Sequence, residues 1–171
     1  MDVAILNYIA EHLRTPLLDQ VFSAITALND YGLIWIGFAI VMLCTKRYRR
    51  GGIAITIALA LSFLIGNLLL KHLIDRVRPF VTYPMTLLIA VPAGSSFPSA
   101  HTLSSFAAAM AIWRTERRLG IPAMILAALI AFSRLYLYVH YPSDVLAGAI
   151  LGLWIGWLAV WLVNRKKRVK P

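Results

Sequence analysis

Between Ser133 and Asp144 an arginine, a histidine and an aspartate (Arg134, His140 and Asp144) lie inside an otherwise strongly apolar sequence. A charged side chain at bilayer depth costs roughly 3 kcal/mol on insertion scales, so ionisable residues in such a setting mark candidate sites and call for partners. His140 and Asp144 bracket Tyr141-Pro142. Pro142 suits the first turn of a helix, which puts Asp144 near that helix's start and within reach of His140. A carboxylate on one imidazole nitrogen fixes the tautomer and leaves the other nitrogen as base or nucleophile. The competing reading is a structural histidine capped by an aspartate.

Two further stretches supply partners. Lys71 and Arg78 are seven residues apart, nearly two helical turns, so a continuing helix would set both cations on one face, and Pro79 would stop it. Two fixed cations facing one point suit a dianion; snorkelling at a span end is the alternative. In Phe97-Pro98-Ser99-Ala100-His101, Ser99 is a candidate N-cap that leaves the amides of Ala100 and His101 pointing out of a helix N-terminus. Such a terminus is a ready anion site, with His101 beside whatever binds there.

The elements that must position these residues follow from hydropathy. The chain has 171 residues, 60% of them hydrophobic, and a formal net charge of +10. Gly51–Leu70 and Val145–Asn164 are uncharged runs of twenty residues, the length of one hydrocarbon crossing. An all-α, polytopic transmembrane helical bundle is expected, since barrel-type alternation is absent. Twelve of the seventeen Lys and Arg fall in the clusters Lys46–Arg50, Arg114–Arg118 and Arg165–Lys170, each abutting the end of an apolar run. That is the positive-inside pattern and argues against a nucleic-acid groove. Cys44 is the single cysteine, so no intrachain disulfide can form. The first residues lack a basic n-region, and no cleavable signal peptide is expected.

The chain reads as one membrane-embedded domain over 1–171. Residues 1–29 form an amphipathic segment of two helices divided at Pro16, 31–164 hold the core spans, and 165–171 make a basic tail. Crossings are expected at 31–45, 51–70, 99–113, 119–139 and 145–164, five in all, or six if 1–29 is a broken crossing. With the basic clusters cytoplasmic, and the C-terminus with them, Lys71, Arg78, Ser99, His101, His140 and Asp144 converge on the opposite, extracytoplasmic side of a plasma membrane. The 99–113 span is only about 22 Å of helix against roughly 30 Å of hydrocarbon, which recesses the site. Gly148, Gly152 and Gly156 form a small-residue stripe suited to close helix contact, either within the bundle or at a homodimer face.

Together, Lys71–six residues–Arg78-Pro79, then Pro98-Ser99-Ala100-His101, then Ser133-Arg134–five residues–His140–three residues–Asp144 resemble the three-part signature of the type-2 phosphatidic acid phosphatase superfamily. That family includes membrane lipid phosphatases, glucose-6-phosphatases and vanadium haloperoxidases. The resemblance covers residues 71–144 in motif and most of the chain in hydropathy. One position departs: Ala100 stands where the family usually has glycine, and alanine keeps the backbone N–H. The resemblance implies that His140 attacks phosphorus, Asp144 orients it and His101 protonates the leaving oxygen. Lys71, Arg78, Ser99, Arg134 and the Ala100 amide would hold the phosphoryl oxygens. It implies a lipid phosphate or pyrophosphate substrate, undecaprenyl pyrophosphate first and phosphatidylglycerophosphate or a phosphatidate next. A non-catalytic lipid-binding or transport protein is the alternative of another class. No His/Cys/Asp/Glu spacing for a metal site is visible, so no metal and no cofactor is expected.

Overall fold

The structure, a computed structural model, describes residues 1–165. Among these the regular elements are all helices, with no strand. Two short helices, α1 (Asp2–His12) and α2 (Pro16–Ala27), come first. Thr15 caps α2 by accepting from the Leu18 amide, and Pro16 occupies its first turn, where a missing N–H costs nothing. Tyr31 and Gly32, both with positive φ, turn the chain into α3 (Leu33–Cys44). The Lys46–Arg50 turn leads to α4 (Arg49–Ser62), which continues through π-helical Phe63–Leu70 into a last turn at Lys71–Ile74. After the loop come α5 (Ala100–Thr115), α6 (Arg117–Tyr136) and α7 (Pro142–Arg165).

Helix α5 is the axis of the bundle, packed against α4, α6 and α7. It can be, because Ala107, Ala108 and Ala111 are fully buried and small. In hydrocarbon no hydrophobic force drives helices together, and close van der Waals fit between small residues does that work. Gly148, Gly152 and Gly156 of α7 supply the matching face. They lie against the carbonyls of Ser99, the cap of α5, and of Leu103 and Ala107 within it; a Cβ would be tight at Gly148 and has no room at Gly152 and Gly156. The stripe is thus taken up inside the chain and is not free to form a homodimer face. Trp154, Trp157 and Trp161 point outward instead.

Three stretches are long and apolar enough to cross a bilayer: Arg49–Thr82, Arg117–Tyr136 and Pro142–Arg165. The pair Pro16–Ala27 and Asp30–Cys44, bent by 45°, makes a fourth if it counts as one crossing. The expected five or six are not reached on this measure. The reason is length: α3 has 12 residues and α5 has 16, about 18 and 24 Å of helix. The amphipathic reading of 1–29 holds for α1, which lays Leu6 and Ile9 against the end of α6 and the following loop. Helix α2 packs on α6 as well but bends into α3.

A buried polar knot fixes that bend. The Asn29 amide donates to the His101 carbonyl (3.0 Å) and to the Ser104 and Ser105 hydroxyls (both 3.1 Å), and Trp35 Nε1 donates to Ser105 (3.0 Å). The Lys46–Arg50 and Arg114–Arg118 clusters share one end of the bundle, where Gly51 faces Met42 and Thr115. Of the third cluster, only Arg165 falls within the described residues.

Candidate active site

The loop Leu137–Tyr141, the start of α7, the start of α5 and the segment 75–96 meet at the opposite end of the bundle. Tyr138, with φ of 62°, reverses the chain after α6, and the loop is held by amides donating to the Ser133 and Arg134 carbonyls. His140 is thereby brought over the first turn of α7, which begins at Pro142 as its sequence suggests.

The His140–Asp144 pair forms, with an unexpected third member. Nδ1 of His140 lies 3.8 Å from Asp144 Oδ2, long for a hydrogen bond, and Ser96 fills the gap. Its hydroxyl donates to Oδ2 at 2.6 Å and lies 3.5 Å from Nδ1. Oδ2 also accepts from the Tyr141 amide (3.0 Å). A proton on Nδ1 would face this carboxylate side, leaving Nε2 with its lone pair. There Arg78 Nη1 stands 3.2 Å away as donor. Burial, the largest influence, pushes the His140 pKa well below its usual value; Arg134 and Arg78 push the same way, while Asp144 works against them. The imidazole is held neutral.

Arg78 is oriented by three carbonyls, those of Gly94 (2.9 Å), Ala93 (3.0 Å) and Val139 (3.0 Å). The route by which it arrives differs from the expected common helix face with Lys71. The helix stops at Ile74, Asp75 takes a left-handed conformation (φ 40°), and Arg78 is extended. A loop delivers Arg78, and the two cations share no helix face.

Ser99 caps α5 as expected, accepting weakly from the Thr102 amide (3.5 Å) and from the Thr102 hydroxyl (3.0 Å). Its own hydroxyl proton is left for another acceptor. The cap leaves the Ala100 and His101 amides without intrahelical partners. His101 Nε2 lies 3.2 Å from Asp30, a contact no local pattern announced. Arg134 is 2% exposed; its Nη1 donates to Thr26, while its Nε is buried with no partner. Buried donors are nearly always satisfied, so this N–H is free to take an acceptor, as is that of Arg14 elsewhere in the fold.

Sequence reasoning missed Ser96, Asp30 and Arg76. Arg76 Nη1 donates to Asp144 Oδ1 (2.5 Å) and to Ser143 (2.7 Å), and Nη2 donates to Asp2 (3.1 Å). Ser96 stood within a serine pair before Phe97-Pro98, and Arg76 two residues before Arg78, but neither position predicts a partner 48 or 68 residues away.

Residues 51–168 match the model of the PAP2 superfamily. The chain is 35% identical over 137 residues to an undecaprenyl-diphosphatase of Sulfolobus acidocaldarius, covering 78% of this chain and 66% of that protein. It is 38% identical over 98 residues to an undecaprenyl-diphosphatase of Bacillus subtilis, covering 55% of this chain and 51% of that one. The chain thus spans between half and just under two thirds of the length of these relatives. Among solved structures it is similar to a transmembrane PAP2 type phosphatidylglycerolphosphate phosphatase from Bacillus subtilis. The TM-score is 0.77 at 26% identity, over 99% of this chain and 87% of that one.

Proposed function

This chain belongs to the PAP2 superfamily, and we propose that it is a membrane lipid phosphatase working through a phosphohistidine. The observation that carries the reading is the pairing of a neutral, buried His140, its Nε2 met by Arg78, with an Arg134 guanidinium whose Nε has no acceptor. A phosphoryl group placed there satisfies Arg134 and draws Arg78 off the nucleophile's lone pair.

In the proposed reaction Nε2 of His140 attacks phosphorus and the bond from phosphorus to the leaving oxygen breaks. His101, steadied by Asp30, gives that oxygen its proton. Asp144 and Ser96 stabilise the phosphoimidazolium through Nδ1–H. Water, deprotonated by the now neutral His101, then attacks phosphorus, and inorganic phosphate leaves with His140 restored. Lys71, Arg78, Arg134, the Ser99 hydroxyl and the Ala100 amide hold the phosphoryl oxygens. Phosphoryl transfer depends mainly on positioning and charge stabilisation, which these groups can supply.

The substrate placed first is undecaprenyl pyrophosphate, cleaved to undecaprenyl phosphate, on the strength of the two diphosphatase relatives. Phosphatidylglycerophosphate is the second choice, supported by the structural neighbour. The whole chain acts as one domain of the plasma membrane, with its site extracytoplasmic and its basic clusters and C-terminus cytoplasmic. Phosphate release by the purified protein in detergent with EDTA, both lipids offered in parallel and His140→Ala as blank, tests the reading. Release that vanishes in the blank and is blocked by vanadate is expected. Release lost to EDTA but indifferent to vanadate would overturn the mechanism, and release from neither lipid would favour a non-catalytic binding protein.

A further inference from the structure

We propose that Arg76 is a positioning residue, which locks the Asp144 carboxylate in the orientation His140 needs and anchors it to α1 through Asp2; this rests on the phosphohistidine reading above. The Asp144 side chain is completely buried, and a buried carboxylate must have its oxygens satisfied or lose ionisation. The two oxygens are served differently. Oδ2 takes the Ser96 hydroxyl and the Tyr141 amide and faces His140 Nδ1. Oδ1 takes Arg76 at 2.5 Å. Rotation about a terminal carboxylate bond is soft, so donors on Oδ2 alone leave the plane of the group loosely held. A cation fixed on Oδ1 at the same time pins that plane, and with it the direction in which Oδ2 meets the imidazole.

Arg76 is itself held from several sides. Nη2 reaches Asp2 at 3.1 Å, Nη1 also meets the Ser143 hydroxyl at 2.7 Å, and the guanidinium lies 4.0 Å over the Tyr141 ring. Ser143 in turn donates to Asp2, closing a ring of polar contacts between α1, the loop after α4 and the first turn of α7. Arg76 and Arg78, two residues apart on one loop, flank one proposed catalytic pair, Arg78 at Nε2 of His140 and Arg76 behind its carboxylate. The division of labour follows: Arg78 is placed to touch the phosphoryl group, while Arg76, spent on two carboxylates, acts through Asp144. Helix α1 therefore contributes to catalysis through one side chain.

The test compares wild type, Arg76→Gln, Asp2→Asn, Asp144→Asn and the Arg76→Gln/Asp144→Asn double variant, with kcat and KM measured on the lipid phosphate that wild type hydrolyses. Partners that orient a catalytic ligand are typically worth 10–100-fold, so kcat of Arg76→Gln should fall by roughly that factor with KM unchanged. Asp2→Asn, partly exposed and screened, should lose less in the same parameter. In the Asp144→Asn background Arg76→Gln should cost nothing further. The same loss in both backgrounds, or a loss carried by KM, would overturn the proposal. Should Arg76→Gln fail to fold, Asp2→Asn carries the same kcat-against-KM test. Wild type inactive on every lipid phosphate would sink the phosphatase reading instead. The imidazole resonances of 15N-histidine-labelled protein would then decide this inference alone. A His140 signal moved by Arg76→Gln is expected, and an unmoved one refutes it.

Discussion

A single methyl group added at Gly152 tests whether the contact between α5 and α7 is as close as the structure has it. A Cβ built there meets the Leu103 carbonyl oxygen at 2.6 Å, the Phe106 Cβ at 2.9 Å and the Ala107 nitrogen at 3.1 Å. Two of these atoms are helix backbone, so relief requires the helices to part. Two effects compete. Alanine gains about 1 kcal/mol over glycine in a helix interior. Overpacking typically costs about 1–3 kcal/mol, and backbone on the receiving side puts this site at the upper end. The clash wins by about 2 kcal/mol, which for a chain of this size lowers Tm by about 4–8 °C. Gly37→Ala is the control: nothing lies within 4 Å of its Cβ, so only the propensity gain remains and Tm should hold or rise. Because α5 carries His101 behind its Ser99 cap while α7 carries Asp144, parting the helices also separates the proposed leaving-group acid from the carboxylate that holds the proposed nucleophile, His140. Misplacement by about 1 Å can cost 10²-fold, so Gly152→Ala should lose activity at temperatures where it remains folded. The assay is thermal unfolding in detergent alongside phosphate release well below Tm. A Gly152→Ala protein as stable and active as Gly37→Ala would refute the packing argument.

Ser96→Ala removes a 2.6 Å hydrogen bond to a buried carboxylate. Bonds of that kind are worth about 1.5–3 kcal/mol, so a fall in kcat of roughly tenfold or more is expected, and wild-type kcat would show that Asp144 reaches His140 unaided. Burial holds His140 neutral below its ordinary range, so its protonation in the folded protein lies below the unfolded value near 6.5. In 15N NMR the His140 ring should stay neutral when pH is lowered from 7 to 5.5; a titration centred near 6.5 would mean that water reaches the ring. By linkage the same group destabilises the fold as pH falls below the unfolded value, and His140→Gln should flatten that part of the Tm–pH curve.

What could be read from the sequence was local. Ser99 as a cap and Pro142 in a first turn are properties of a few adjacent residues, and both stand in the structure. The separation of basic clusters from site residues followed from counting apolar runs. A common helix face for Lys71 and Arg78 fails because helical periodicity does not continue across Asp75, whose left-handed backbone no apolar pattern reveals. Ser96, Asp30 and Arg76 escaped for a different reason: each reaches its partner through tertiary approach of loops, which carry no periodicity. The span count suffered because length and hydropathy describe a single helix, whereas α5 is short, alanine-rich and shielded by its neighbours.

The π-helical stretch Phe63–Leu70 bears on how this chain can change by insertion and deletion. Each π turn closes its hydrogen-bonded ring over one residue more than an α turn, and a single extra residue swings everything after it by about 100° around the axis. Lys71 is the first residue beyond. The wider π turns take up residues with less rotation per residue, so rewinding Phe63–Leu70 as an ordinary α-helix with none removed would carry Lys71 further round the axis. An insertion or deletion in this stretch therefore keeps Lys71 on its present face only when the winding of the helix changes with it.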